Sequence, residues 1–411
     1  MNILFVVPYV PNLVRTRPYN LIRHLAERGN RVTVLAVWAN EQERADLAPL
    51  AEICDEVHAI PMPLWQSLFN SAMALPNRRN PLQSVYSWKP ELLAPFINST
   101  EYDVVHVEHL RGSRYGLYFK QHSNLPVVWD SVDCITHLFR QAASQSKSVV
   151  GRFRSWLDLE RTAWYEGWLL DKFNHVLVTS PVDRQALLAL QHPGSVPVPI
   201  SVLGNGVDVG HFSPDPTMER EPATLVISGK MSYHANVTMT MYLVNQIMPL
   251  VWQQRPDAKL MVVGKDPTRE IQALAENPNI IVTGTVDALP PYLQKATVAV
   301  APITYGAGIQ NKILEAMSCG TPVVTTPHAV SALSIEAGRD LLVADSPDAY
   351  AQAILSILDN PQQQKRLGEN GRIYVEKYHH WPNVAAHLET IYAETIASTT
   401  PHASQPLSLP K

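Results

Sequence analysis

Tyr305-Gly-Ala-Gly-Ile-Gln-Asn-Lys-Ile-Leu-Glu-Ala-Met-Ser-Cys-Gly-Thr-Pro-Val-Val324 joins a glycine-rich turn, a short helix and a buried strand. The strand Val298–Ala301 runs into a loop holding Gly306 and Gly308, where small residues let backbone N–H groups approach an anion closely. A helix from about Ile309 aims its positive end at the same place. Lys312 falls in its first turn and Glu315 three residues on, on one helix face. Thr321-Pro-Val-Val324 restarts a strand. A lone Gly-x-Gly would mark no more than a close-packed βαβ unit. The lysine, the glutamate and the Cys-Gly-Thr-Pro exit at matching offsets make this run a cradle for a nucleoside diphosphate.

Outward from that run, short apolar segments alternate with helical patterns. Strands are expected at Ile3–Val7, Val32–Val37, Glu56–Ile60, Val104–Val107, Val127–Trp129 and Val176–Val178. A second set is expected at Thr224–Ile227, Lys259–Val263, Ile280–Val282, Val298–Ala301, Val323–Thr325 and Leu341–Val343. Such alternation, with several runs continuous and β-branched, predicts parallel sheets covered on both faces. The first helix, roughly Pro18 to Arg28, closes at Gly29. Asn205-Gly-Val-Asp208 and Ser213-Pro-Asp-Pro216 are turn chemistry and mark a linker. The expected architecture is α/β, two Rossmann-like doubly wound domains facing a central cleft. Residues 1–205 form the first domain, with a return helix 383–398; 206–382 form the second, and 399–411 a disordered tail.

With 411 residues, 46% of them hydrophobic, the chain can bury two large cores. A formal charge of −4 argues against nucleic acid as the partner. Cys54, Cys134 and Cys319 are widely spaced, show no C-x-x-C pattern and leave one unpaired in any disulfide scheme, which fits a reducing cytoplasm. The opening Met1-Asn-Ile-Leu-Phe-Val-Val-Pro8 lacks a positive n-region and reads as a first strand rather than a signal peptide. No segment reaches the ~20 apolar residues a spanning helix needs.

The Tyr305–Val324 run resembles the C-terminal signature of retaining glycosyltransferases of family 4, which share the two-domain GT-B fold. Glu315 matches the second glutamate of the family's Glu-x7-Glu, which holds the ribose hydroxyls. The first would fall at Ala307, a departure. The variant Gly-x-Gly-Ile-x-Asn-Lys-Ile-Leu-Glu-Ala-Met resembles a bacterial subgroup associated with exopolysaccharide loci. Asn205-Gly-Val-Asp208 with Phe212-x-Pro214 resembles the family's interdomain hinge, after which the last helix returns to the first domain.

The resemblance implies a donor site for a nucleoside diphosphate sugar, UDP or GDP type. It comprises Gly229, Lys230, Asn236, Gly264, Val286, Gly308, Ile309, Gln310, Asn311, Lys312 and Glu315. Gly229-Lys230 stands where relatives carry Gly-Arg on the diphosphate, and Gly264 and Val286 follow strands that face the cleft. Retaining transfer to an acceptor hydroxyl is implied, with Lys230 and Lys312 stabilising the departing diphosphate, no metal and no cofactor beyond the co-substrate. No Asp-x-Asp motif appears at a strand end. A GT-B nucleotide-sugar epimerase and, given Ala307, a non-catalytic sugar-nucleotide binding protein are the competing readings.

On the first domain, loops after the strands should face the donor. Arg15 and Arg17 follow the first strand and suit an acidic or phosphate-bearing acceptor, or are merely solvated. Asp103-Val-Val-His-Val-Glu-His109 resembles a family run. His106 reads as interior, whereas Glu108 and His109 lie at the strand end. Asp130 and Asp133 stand where many relatives put a histidine beside the reacting sugar. Asp130 is the catalytic carboxylate on this reading, or else it caps a helix beginning near Ser131. The acceptor is a sugar, a lipid-linked or a small molecule. Arg140–Lys172, with Trp156, Trp164 and Trp168 among basic residues, is compatible with a membrane-surface helix, although burial of the tryptophans is the simpler account. The implied location is cytoplasmic, with peripheral contact at the inner membrane face left open.

Overall fold

The computed structural model describes residues 1–12, 15–145, 149–303 and 310–399, with the backbone alone for 142–145 and 149–157. The chain divides into two compact units, Met1–Gly204 with Trp381–Lys411, and Asn205–His380.

In the first unit, β1 (Asn2–Val7), β2 (Arg31–Trp38), β3 (Glu56–Pro61), β4 (Val104–Glu108), β5 (Val127–Val132), β6 (His175–Val178) and β7 (Ile200–Val202) form one parallel sheet. Its order is β3-β2-β1-β4-β5-β6-β7. The order reverses between β1 and β4, so the crevice of the sheet opens beyond Val7 and Glu108. Ile3, Phe5 and Val7 face one buried layer while Leu4 and Val6 face the other, as expected of a strand covered on both sides. β7 is missing from the sequence-based expectation because Pro197 and Pro199 reduce it to three residues. The helix Trp381–Ser398 belongs to this unit. Its Val384, Leu388, Ile391 and Tyr392 bury against the layer that holds Leu21, Leu25 and Phe5.

In the second unit, β8 (Thr224–Ser228), β9 (Lys259–Val263), β10 (Ile280–Gly284), β11 (Val298–Ala301), β12 (Val323–Thr325) and β13 (Leu342–Val343) form a parallel sheet of order β10-β9-β8-β11-β12-β13. Here the reversal lies between β8 and β11. The two units are thus doubly wound α/β folds of the kind expected.

Three local expectations need correction. The first helix spans Thr16–Glu27, so Arg17 sits in its first turn and not in a loop. The helix expected near Ser131 begins at Ile135, because Glu166 from a neighbouring helix accepts the first free amides, Ile135 N and Thr136 N, both at 2.8 Å. Trp164 and Trp168 stack at 6.1 Å and pack partly buried on the first unit's core. The membrane-surface reading of that segment is therefore not supported at these two residues. Lys147, and the side chains of Arg152, Arg154 and Trp156, lie outside the described residues.

Candidate functional site

The second unit's site grows from two glycines. Gly229 follows β8 and Gly264 follows β9, at φ 150° and 148°. A Cβ on Gly264 would lie 1.8 Å from the Gly229 carbonyl oxygen. Only hydrogen fits, and that allows the two strand ends to close on one another. A Cβ on Gly229 would lie 2.6 Å from Asn236 Nδ2, so the same glycine admits the asparagine.

Asn236 ties the site together. Its Nδ2 donates to the Lys230 carbonyl at 3.0 Å, and its Oδ1 accepts from Lys312 Nζ at 2.5 Å. One buried amide thus joins the loop after β8 to the helix Asn311–Ser318, which follows β11. Lys312 is the second residue of that helix, where the first turn's amides have no partner within the helix. Burial lowers its pKa to about 8, against the opposing pull of Glu315. Burial raises Glu315 to about 7, and Lys312 offsets part of the rise. Asn311 Oδ1 is buried with no hydrogen-bond partner among the described residues. Lys230 is exposed, and its ammonium stands 3.9 Å from Asp266, a neighbour that sequence reasoning missed. Val286 packs half-buried on the core, away from these polar groups' hydrogen bonds. Gln310 precedes the helix in extended conformation, so the helix starts two residues later than expected. Gly306, Ala307, Gly308 and Ile309 lie outside the described residues.

The first unit carries a buried charge network at its crevice. Asp130, fully buried in β5, accepts from Arg17 Nε at 3.0 Å and from its terminal nitrogen at 2.8 Å. Its other oxygen accepts from Val132 N at 3.0 Å. Arg17, expected on the acceptor side, and Asp130, expected as the catalytic carboxylate, therefore neutralise each other in the interior, and Asp130 caps no helix among the described residues. Without its counter-ion either charge would be stranded there. His106 is interior as expected. Its Nδ1 pairs with the Tyr392 hydroxyl at 2.8 Å, its ring stacks on Phe5 at 4.0 Å, and burial lowers its pKa to about 4.

Glu108 ends β4, buried, with Oε2 unpartnered among the described residues. Burial and then Asp130 raise its pKa to about 8, so it holds its proton at neutral pH, with the Tyr9 hydroxyl beside it. His109 opens the next helix at φ 65° with its pKa lowered by burial to about 4. Asp133 accepts from Thr179 at 3.1 Å, and burial beside Asp183 raises it to about 6.

Arg15 stays at the surface side of this network. It pairs with Glu43 at 2.8 Å and lies 4.5 Å over the Tyr9 ring. Together with Arg111, whose guanidinium covers Tyr86 at 4.8 Å, it lines a cavity of about 150 Å³. Tyr9, Glu43 and Arg111 were not singled out from sequence. Tyr9 stands two residues past β1 and Arg111 three past β4, so strand-end position was the available signal.

Residues 14–206 match the family model described as "Glycosyl transferase 4-like domain", and residues 222–360 match "Glycosyl transferases group 1". The chain is 22% identical over 290 residues to the "Putative glycosyltransferase YtcC" of Bacillus subtilis (strain 168), spanning 63% of this chain and 70% of that protein. It is 26% identical over 208 residues to the "Phosphatidyl-myo-inositol mannosyltransferase" of Mycobacterium tuberculosis (strain CDC 1551 / Oshkosh), 47% of this chain and 54% of that protein. The chain thus spans about half the length of that mannosyltransferase. The structure of Anabaena Alr3699/HepE in complex with UDP and glucose shares the fold, with TM-score 0.66 at 14% identity over 96% of this chain and 100% of that one. With a glycosyltransferase model on each unit and this shared architecture, the chain belongs to the glycosyltransferases of the GT-B type.

Proposed function

We propose that this glycosyltransferase moves a sugar, with retention at the anomeric carbon, from a nucleoside diphosphate sugar of UDP or GDP type to an acceptor hydroxyl, in polysaccharide, glycolipid or glycoconjugate synthesis. The observation that carries the donor assignment is the Lys230–Asn236–Lys312 linkage, in which Asn236 joins the Lys230 backbone carbonyl to the Lys312 ammonium at a helix N-terminus beyond the switch point of the second sheet. Binding of UDP by Anabaena HepE supports the same class of donor. Lys230 and Lys312 then stabilise the leaving diphosphate by fixed charge, with no need for a divalent ion, and Glu315 accepts the ribose hydroxyls.

On the acceptor side, Asp130 acts by holding Arg17 in place. Glu108, protonated up to about pH 8, and Tyr9 offer hydrogen bonds at the crevice. Arg15 and Arg111 supply charge for an acidic acceptor. The place of action on this reading is the cytoplasm. The test is a panel of UDP- and GDP-sugars with EDTA present, the anomeric configuration of product being read by NMR. A retained anomer and full activity in EDTA are expected. An inverted product or an absolute requirement for added divalent ion would overturn the mechanism.

A further inference from the structure

The helix Leu64–Ala74 is built inside out. Ser67 and Ala74 are its buried residues, and Asn70 Nδ2 donates to the carbonyls of Val85 and Trp88 at 3.2 and 3.0 Å. Its large apolar side chains point the other way: Leu64 is 60% exposed, Trp65 69%, Leu68 56%, Phe69 59% and Met73 68%. Positions 64, 65, 68, 69 and 73 share one helical stripe. Single exposed apolar residues are ordinary on a protein surface, whereas a contiguous stripe of this size marks a surface made to be covered.

Charge identifies what covers it. Between Glu56 and Glu91 the chain has no aspartate or glutamate, but it has Arg78, Arg79 and Lys89. Arg78 and Arg79, exposed, follow the helix after Leu75, Pro76 and Asn77, with the Arg79 guanidinium 5.0 Å over the Trp164 ring. A second copy seated on this face would bring two sets of the same cations together, with no acid supplied by the segment between Glu56 and Glu91. A stripe of leucine, tryptophan, phenylalanine and methionine with Arg78 and Arg79 just beyond it, and with Glu43 beside Leu64 already paired to Arg15, matches the interfacial zone of a bilayer bearing anionic lipid. No helix among the described residues is long and apolar enough to cross a membrane, so the contact lies in the plane of the surface.

We propose that the Leu64–Ala74 helix docks the protein onto anionic membrane. The same helix contributes Leu64 and Ser67 to the wall of the cavity holding Arg15 and Arg111. Docking therefore sets that cavity against the headgroup layer, and, on the transferase reading above, the acceptor is an anionic headgroup carried on a lipid.

The test uses the full chain, co-sedimented with vesicles of phosphatidylcholine alone or with about 30% phosphatidylglycerol added as the probe. Wild type is expected to partition onto the anionic vesicles, less so as salt rises. The double variant Trp65→Ser/Phe69→Ser should lose at least about tenfold in partitioning. Arg78→Ser/Arg79→Ser should weaken binding and flatten its salt dependence. Both should stay folded and keep wild-type nucleoside diphosphate affinity, since none of the four residues belongs to the donor site. Wild type left in the supernatant, or variants that sediment as wild type does, would overturn the proposal. So would a dimer that the Trp65/Phe69 variant dissociates without any vesicle binding. Failure of wild type to bind any nucleoside diphosphate would instead sink the donor reading and leave the vesicle result standing.

Discussion

Arg17 and Asp130 show how a charged pair at a strand end can be structural in its local role. Removing one partner from a buried ion pair costs about 3–5 kcal/mol, because the other charge stays buried and uncompensated. Asp130→Ala is therefore expected to lower the melting temperature markedly, whereas Arg17→Met/Asp130→Leu, which removes both charges, should recover most of the loss. A melting temperature of Asp130→Ala equal to wild type would show that the pair is not sealed in the interior. From sequence, Asp130 and Arg17 were each visible as polar residues at a strand end. Their pairing across 113 positions was not, because long-range contacts leave no local pattern.

At the level of elements, the helix Asn311–Ser318 and the two glycine-ended strands depend on close backbone approach. Gly264→Ala meets both a backbone oxygen at 1.8 Å and a positive φ, so it should destabilise the second unit by more than about 2 kcal/mol and abolish nucleotide binding. Gly29→Ala is the control. Its φ is 87° but nothing lies within 4 Å of the added Cβ, so only the conformational term of about 1 kcal/mol should appear in a thermal melt. Equal losses in the two variants would mean that the Gly229–Gly264 contact does not matter.

These elements were largely legible in sequence. β9, β11 and β12 begin and end where they were expected, since apolar runs and turn residues are local signals. The inverted Leu64–Ala74 helix was not legible as a surface feature, since only the fold shows that Ser67, Asn70 and Ala74 take the inner face.

For the molecule as a whole, Lys312 and Glu315 predict a narrow pH window for donor binding. A diphosphate favours protonated Lys312. Above its free-state pKa of about 8 a proton must be taken up on binding, and affinity falls. Ribose hydroxyls favour ionised Glu315. Below its free-state pKa of about 7 a proton must be released, and affinity falls again. Affinity for a nucleotide sugar, whose diphosphate diester carries no group titrating near neutrality, should therefore peak between about pH 7 and 8 in calorimetric titrations. A flat profile from pH 6 to about 9 would show that neither group meets the ligand.

The most direct measurement is calorimetric titration of UDP and GDP into wild type, Glu315→Ala and Lys312→Ala. One of the two nucleotides should bind wild type, and each substitution should weaken that binding by at least about tenfold, the loss expected when a charged hydrogen bond worth roughly 1.5–3 kcal/mol is removed. Wild-type affinity retained in both variants would contradict the assignment of the donor site to the Asn311–Ser318 helix.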